Sequence, residues 1–193
     1  KQVRNELENF MFANGADSLA FGSIVASGPN TANPHAVPSD RVIEKGDFVL
    51  MDYGAGYCDY RSDMTRTVVM GEPTSEQLDL YALVRRTHEE CVAAIHPGVE
   101  GNDIFKLSKK IIGDAGYGYY NHGLGHGGGI DIHELPNFNR SKNIIEVGSV
   151  ITMEPGVYLP GVGGVRLEDY GVVTENGYEP FTKTPHDLHV IDC

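Results

Sequence analysis

A chain of 193 residues with 40% hydrophobic and 22% charged residues can bury the core of one domain, or of two closely joined halves. Its net charge of −12 argues against nucleic acid as the main partner and leaves room for bound cations, and no apolar run reaches transmembrane length, so no membrane partner is expected. Three widely spaced cysteines, Cys58, Cys91 and Cys193, fit neither a disulfide framework nor a zinc finger, which points to a reducing, cytoplasmic setting.

In chain order, residues 2–14 have the stripe of an amphipathic helix (Val3, Leu7, Phe10, Met11), with Gly15 as its stop. A strand is expected from Phe21 to Ser27, then a loop rich in Pro and Asn from Gly28 to Asp40 that holds His35. Phe48-Val49-Leu50-Met51 reads as a buried strand ending at Asp52, with Arg61 to Met70 as its hairpin partner. Thr74 and Gln77 form a capping-box signature opening a helix over 75–96, stopped by Pro97-Gly98. A second helix carries Ile104, Leu107, Ile111 and Ile112 and ends near Gly116. The last strand pair runs from Val150 to Glu154 and from Gly164 to Thr174.

The chain contains a duplication. Residues 44–54 line up with 146–156 at an offset of 102, where Glu, Gly, Met and Gly recur in register and Asp52 faces Glu154. At an offset of 101, Val3, Phe10, Met11 and Gly15 match Ile104, Ile111, Ile112 and Gly116. Two matches in the same order imply two related α+β halves. Helix 75–96 precedes the second half and nothing equivalent precedes Lys1, so the chain is expected to begin within a longer protein.

Between the halves lies Asn121 to Glu134, where His122, His126 and His133 fall within thirteen residues that also hold five glycines. Small residues let a backbone approach a ligand closely and leave imidazoles unshielded. Ile130-Asp131-Ile132-His133 alternates like a strand, with Asp131 and His133 on one face. Gly123, Gly125 and Gly128 match a G-x-G-x-x-G phosphate loop, but no apolar strand leads in and no helix follows, which excludes a nucleotide site.

Each strand pair delivers two carboxylates. Asp52 and Asp63 are equidistant from a turn at Tyr57-Cys58, and Glu154 and Glu168 are equidistant from Gly161. In-register pairing would set each carboxylate opposite its mate, which apolar strands tolerate only if one is protonated or a cation lies between them. Two such pairs plus His126 suit two hard or borderline divalent ions, such as manganese, bridged by shared carboxylates. Such a pair of ions, about 3.5–4 Å apart, acidifies a water for attack on a polarised carbonyl. His133 and His35 would remain free to stabilise the oxyanion or protonate a leaving nitrogen. Arg166, two residues before Glu168 on the expected strand, would pair with a carboxylate.

These pieces resemble the pita-bread metallopeptidases, the family of methionine aminopeptidase, aminopeptidase P, prolidase and creatinase. The resemblance covers about Val3 to Pro180. It rests on Ser27-Gly28-Pro29-Asn30 with Pro34-His35, Met51-Asp52-Tyr53-Gly54, Ser62-Asp63-Met64-Thr65-Arg66-Thr67 and His122-Gly123-Leu124-Gly125-His126-Gly127. His133-Glu134, Glu154-Pro155-Gly156-Val157-Tyr158 and Gly164-Val165-Arg166-Leu167-Glu168-Asp169 complete it. It implies an α+β pita-bread fold of two pseudo-symmetric halves over residues 1–193, a curved antiparallel sheet flanked by helices, without the separate N-terminal domain and leading helix of the proline-specific members.

The resemblance also implies the ligand set Asp52, Asp63, His126, Glu154 and Glu168. In it Asp63 and Glu168 bridge two ions, manganese or alternatively cobalt or zinc, and Asp52 holds one of them from the side. His35 and His133 take roles near the scissile bond, His122 lines the pocket for the following residue, and Arg166 and Tyr158 surround the ligands. His122 and the Arg-x-Glu at 166–168 resemble the proline-specific branch. The expected substrate is therefore a peptide with proline second, cut by an Xaa-Pro aminopeptidase or dipeptidase, with a homodimer compatible. The alternatives are a methionine aminopeptidase and a non-catalytic peptide- or protein-binding module.

Overall fold

The computed structural model describes residues 1–118, 122–139 and 142–192, so the expectations for Asn121 and Cys193 lie outside the described residues. Among the described residues there are three α-helices, α1 (Gln2–Ala13), α2 (Ser75–Ala93) and α3 (Gly101–Asp114), and a 3-10 turn at Gly28–Ala32. The first half holds β1 (Ser18–Leu19), β2 (Ile24–Ser27), β3 (Phe48–Tyr53), β4 (Ala55–Tyr57), β5 (Tyr60–Arg61) and β6 (Met64–Met70). The second holds β7 (His126–Gly127), β8 (Glu134–Asn137), β9 (Val150–Met153), β10 (Gly156–Leu159), β11 (Gly163–Arg166), β12 (Asp169–Thr174), β13 (Gly177–Pro180) and β14 (Val190–Ile191).

The duplication reappears as topology. The first half orders its antiparallel strands β2-β3-β6, and the second orders β7-β9-β12 in the same way. The two triplets meet at an antiparallel bridge between Thr65 and Glu168. This is the mixed α+β fold that the resemblance implied, with its strands in four sheets that are antiparallel except where β14 joins β6 in parallel.

The helices cover the second half more thoroughly than the first. The capping box of α2 is complete: Thr74 Oγ1 accepts from the Gln77 amide (3.2 Å) and Gln77 Oε1 from the Thr74 amide (3.0 Å). Leu80, Val84 and Cys91 of α2 then meet Ile104 and Ile112 of α3, over a layer built from Ile151, Met153 and Val165. By contrast no residue of α1 is buried, and Phe10 is 67% exposed. Among the described residues, no helix is long and apolar enough to cross a membrane.

Three expectations need correction. The first hairpin turns at Cys58-Asp59, both at positive φ (49° and 68°), one residue later than expected. Tyr57 therefore pairs with Tyr60, and in the adjoining ladder Asp52 lies opposite Thr65, not Asp63. A two-residue turn with both residues left-handed matches strand twist, which is why the chain accepts the local strain. Second, residues 130–133 form no strand; the ladder starts at Glu134, so Asp131 and His133 do not share a strand face. Third, the expected strand from Gly164 to Thr174 is interrupted at Leu167-Glu168. The register about Gly161 is as expected, with Tyr158 opposite Gly164 and Asp169 opposite Met153.

Candidate metal centre

Three of the four predicted carboxylates sit where strands stop. Asp63 lies between β5 and β6, Glu154 between β9 and β10, and Glu168 between β11 and β12, whereas Asp52 lies within β3. At such breaks a side chain leaves the regular pleat and can turn into a shared space. That space is a cavity of about 640 Å³ lined by Asp52, Asp63, His122, His126, Glu154, Arg166 and Glu168, with His35 and His133 toward solvent.

Ligating atoms of Asp63, His126 and Glu168 lie within 4.8 Å of one another. His126 Nε2 is 3.5 Å from Asp63 Oδ2 and 3.7 Å from Glu154 Oε1. The other nitrogen of that ring, Nδ1, is 2.9 Å from the Gly127 carbonyl, to which only an N–H can donate. In the neutral ring the tautomer is thereby set, with the Nε2 lone pair toward the carboxylates. The backbone can come this close because Gly125 is side-chain free: a Cβ there would run into the Thr152 carbonyl. Thr152 Oγ1 in turn accepts the His126 amide at 3.1 Å.

A chain of hydrogen bonds surrounds this group. Arg166 reaches Asp52 Oδ2 with Nη2 (2.5 Å), the Tyr158 hydroxyl with Nη1 (2.8 Å) and Thr65 Oγ1 with Nε (3.1 Å). Thr65 Oγ1 donates its own hydrogen bond to Glu168 Oε2 at 2.7 Å. His122 Nδ1 donates to the Gly123 carbonyl (2.6 Å), so its Nε2 accepts from the Tyr158 hydroxyl (2.8 Å). Tyr158 thus accepts from Arg166 and donates to His122, linking an ion pair to a neutral imidazole.

The electrostatics are those of a site built for cations. Burial raises Asp52 to about 6, with Asp63 adding to the rise against the opposing Arg166. Burial likewise raises Glu154 to about 7 and lifts Glu168 well above the carboxylate range, where Asp63 and Glu154 add repulsion. His122 is depressed to about 3 by burial and by Arg166. Burial opposes protonation of His126, yet Asp63 and Glu154 raise it to about 8. Asp52 Oδ1 is buried without a hydrogen-bond partner. An orphaned carboxylate oxygen beside three further carboxylates and an aimed imidazole nitrogen fits a divalent cation, which supplies the missing partner.

The structure therefore brings together all ten residues singled out in the sequence: nine line the cavity, and Tyr158 joins it through His122 and Arg166. Arg166 faces Asp52 of the other half. Thr65 escaped the sequence reading, although it stands two residues after Asp63 at the start of a strand, where the same face repeats. Apolar walls from Phe21, Ile24, Ile132 and Leu135 were also missed, since nothing in loop sequences marks what they will face.

The model of metallopeptidase family M24 matches residues 1–175. The Xaa-Pro dipeptidase of Pyrococcus horikoshii is 42% identical over 190 residues, which are 97% of this chain and 54% of that relative. Among solved structures, X-Pro aminopeptidase from Thermotoga maritima superposes with a TM-score of 0.95 at 37% identity, over 98% of this chain and 55% of that one. Xaa-Pro dipeptidase from Bacillus anthracis gives 0.95 at 46% identity, over 98% and 54%. The chain spans about half the length of the curated relatives it matches. Its fold, its matched residues and these likenesses agree, and the chain belongs to metallopeptidase family M24.

Proposed function

We propose that this chain is the catalytic part of a binuclear metal-dependent exopeptidase that hydrolyses Xaa-Pro bonds, as an Xaa-Pro dipeptidase or aminopeptidase. The observation that carries the proposal is the convergence of Asp63, His126 and Glu168 in one cavity with Glu154 against His126 and Asp52 held by Arg166. In this reading Asp63 and Glu168 would be shared between two divalent ions, manganese by preference, and Asp52, His126 and Glu154 would complete the set. When bound, such ions supply an acidified water and a polarised scissile carbonyl.

The chain's own residues do the rest. Arg166 and Thr65 fix the Asp52 and Glu168 carboxylates, so the ligands do not reorganise during reaction. His133, lowered by burial and by neighbouring His126, stays neutral at the cavity edge, where it would first accept the proton released by the attacking water and then pass it to the leaving nitrogen. His35 stands at the same edge and donates to the developing oxyanion. His122 lies with Tyr158 and Arg166 beside Glu154 (3.7 Å), placed for the residue after the scissile bond.

A proline ring makes a tertiary amide with no N–H, so the pocket must accept an apolar ring without offering a buried acceptor. Phe21, Ile24, Ile132 and Leu135 are suitable walls. The test is kcat/KM for Ala-Pro, Ala-Pro-Xaa and Met-Ala peptides with the manganese-loaded protein and with His122→Ala. Preference for the proline substrates, weakened in the variant while metal content holds, supports the assignment. Preference for Met-Ala, unaffected by the variant, contradicts it and favours a methionine aminopeptidase.

A further inference from the structure

A second cluster of metal-ligating side chains lies outside the cavity, and the peptidase chemistry makes no use of it. His88 projects from α2 into the interior at 2% exposure, and neither ring nitrogen has a hydrogen-bond partner. Its Nε2 points at Asp169 Oδ2 from 3.5 Å. His186, from the segment following β13, places its Nε2 2.6 Å from the same oxygen. The two imidazole rings meet edge to face with centroids 4.8 Å apart, and the three ligating atoms lie within 4.8 Å of one another. None of the three residues lines the 640 Å³ cavity.

A buried imidazole with both nitrogens unpaired is costly, and a cation beside Nε2 would give the lone pair there a partner. Two neutral imidazoles and one carboxylate oxygen form the three-ligand set of a tetrahedral zinc site, whose fourth position is water. The remaining carboxylate oxygen is already held. Arg66 Nη2 donates to Asp169 Oδ1 at 2.7 Å, and Arg66 also donates to the carbonyls of Thr184 (2.8 Å), Glu168 (2.6 Å) and Thr65 (2.9 Å). The guanidinium thus orients the carboxylate with Oδ2 toward both histidines, and a cation there would displace the proton that Oδ2 now shares with His186 Nε2. His88 is held neutral by burial, as a ligand must be. His186 retains 24% side-chain exposure, which gives an ion a way in.

We propose that His88, Asp169 and His186 bind one divalent cation of the zinc class, distinct from the ions of the cavity, and that this ion pins residues 182–189 to α2 and β12. The pinned segment is otherwise held by Thr182 Oγ1 on the Tyr170 amide (3.1 Å), the Thr184 carbonyl on Arg66, Asp187 on Arg85 (2.7 Å) and by its carbonyl on the Tyr81 hydroxyl (3.5 Å), the His189 carbonyl on the Val69 amide (3.0 Å), and Leu188 against the core. The ion would act behind Glu168, the neighbour of Asp169, and so stiffen the backbone that presents a cavity carboxylate.

The test is zinc binding to the metal-stripped chain, read by competition with a chromophoric chelator, for wild type, His186→Ala and His88→Gln. Ions held in the cavity are common to all three proteins, so the difference isolates this site whether or not the peptidase assignment is right. Each variant should bind one zinc fewer than wild type. Zinc should slow amide exchange across 182–189 at least ~10-fold in wild type and leave His186→Ala unchanged, as a local tie would. If His88→Gln does not fold, His186→Ala on its partly exposed segment decides by the same count. Equal zinc stoichiometry in wild type and His186→Ala overturns the proposal.

Discussion

The two halves of the molecule share strand order but not chemistry. In the first, Asp52 on β3 faces Thr65 on β6; in the second, the flanking pairs Met153–Asp169 and Gly156–Arg166 set Glu154 level with Glu168. The counterpart of Glu168 is therefore Thr65, and two residues earlier the counterpart of Arg166 is Asp63. One half contributes Asp and Thr where the other contributes Arg and Glu, and the counterparts Thr65 and Glu168 touch directly, 2.7 Å apart across the seam. A strict repeat would place two like carboxylates against each other there, buried and unpaired, which is unfavourable. Divergence of the halves has given each carboxylate either a donor or a position beside His126. The asymmetry is what makes the site chemically complete.

The sharpest way to break that asymmetry is at Glu168. Glu168→Gln removes a charge from the proposed bridging position, and its activity and metal content should fall by more than the roughly 10–100-fold that loss of an outer hydrogen bond costs. Retention of both would dismiss Glu168 as a ligand. His133→Ala should lower kcat by ~10²–10⁴-fold with metal retained, since the residue stands at the cavity edge and not among the ligating atoms. Metal loss in that variant would show that His133 ligates.

Changes in the surrounding hydrogen bonds should cost less. Thr65→Val and Arg166→Lys each remove donors from ligand carboxylates, and about 10–100-fold in metal affinity is expected for each. Lysine cannot span Asp52, Tyr158 and Thr65 at once as the planar guanidinium does. Wild-type affinity in Arg166→Lys would mean that the ion pair with Asp52 is structural only.

The smallest effect, and the most general, is on pH. Asp52 and Glu154 sit at about 6 and about 7 in the folded protein against 3.8 and 4.5 ordinarily. The folded state thus holds protons that the unfolded chain has released. Without metal, their contribution to stability is present at acid pH and lost as pH rises through 6 and 7. A cation needs the ionised carboxylates and a neutral His126, itself raised to about 8. Manganese affinity should then increase steadily from about pH 5 to 8 with protons released on binding, as calorimetry in buffers of different ionisation enthalpy can measure. A pH-independent affinity would contradict the assigned ligands.

Much of this was legible in the sequence because turns and breakers fix register. The glycines and proline about Gly161 set the second hairpin where it was expected. The capping box of Thr74 and Gln77 placed the start of α2, and the 102-residue offset anticipated the twin strand triplets. What failed was local. Cys58 and Asp59 take up left-handed backbone without any glycine in the turn itself, so its centre was misplaced and Asp63 was put opposite Asp52. The alternation at 130–133 reflects a loop whose Ile132 and His133 both reach the cavity lining, a pattern no strand would give. The pairing of Arg166 with Asp52 of the other half joins residues 114 positions apart, and only the fold reveals it.

The central claim, that two ions share Asp63 and Glu168, is tested most directly by manganese electron paramagnetic resonance during titration of the stripped chain. Two ions about 3.5–4 Å apart with bridging carboxylates are spin-coupled. The account predicts that a coupled multiline spectrum replaces the isolated-ion signal as the second equivalent binds, that Ala-Pro hydrolysis rises with it, and that Asp63→Asn abolishes both. A spectrum of isolated ions at full activity, or an Asp63→Asn protein that keeps the coupled signal, would contradict it.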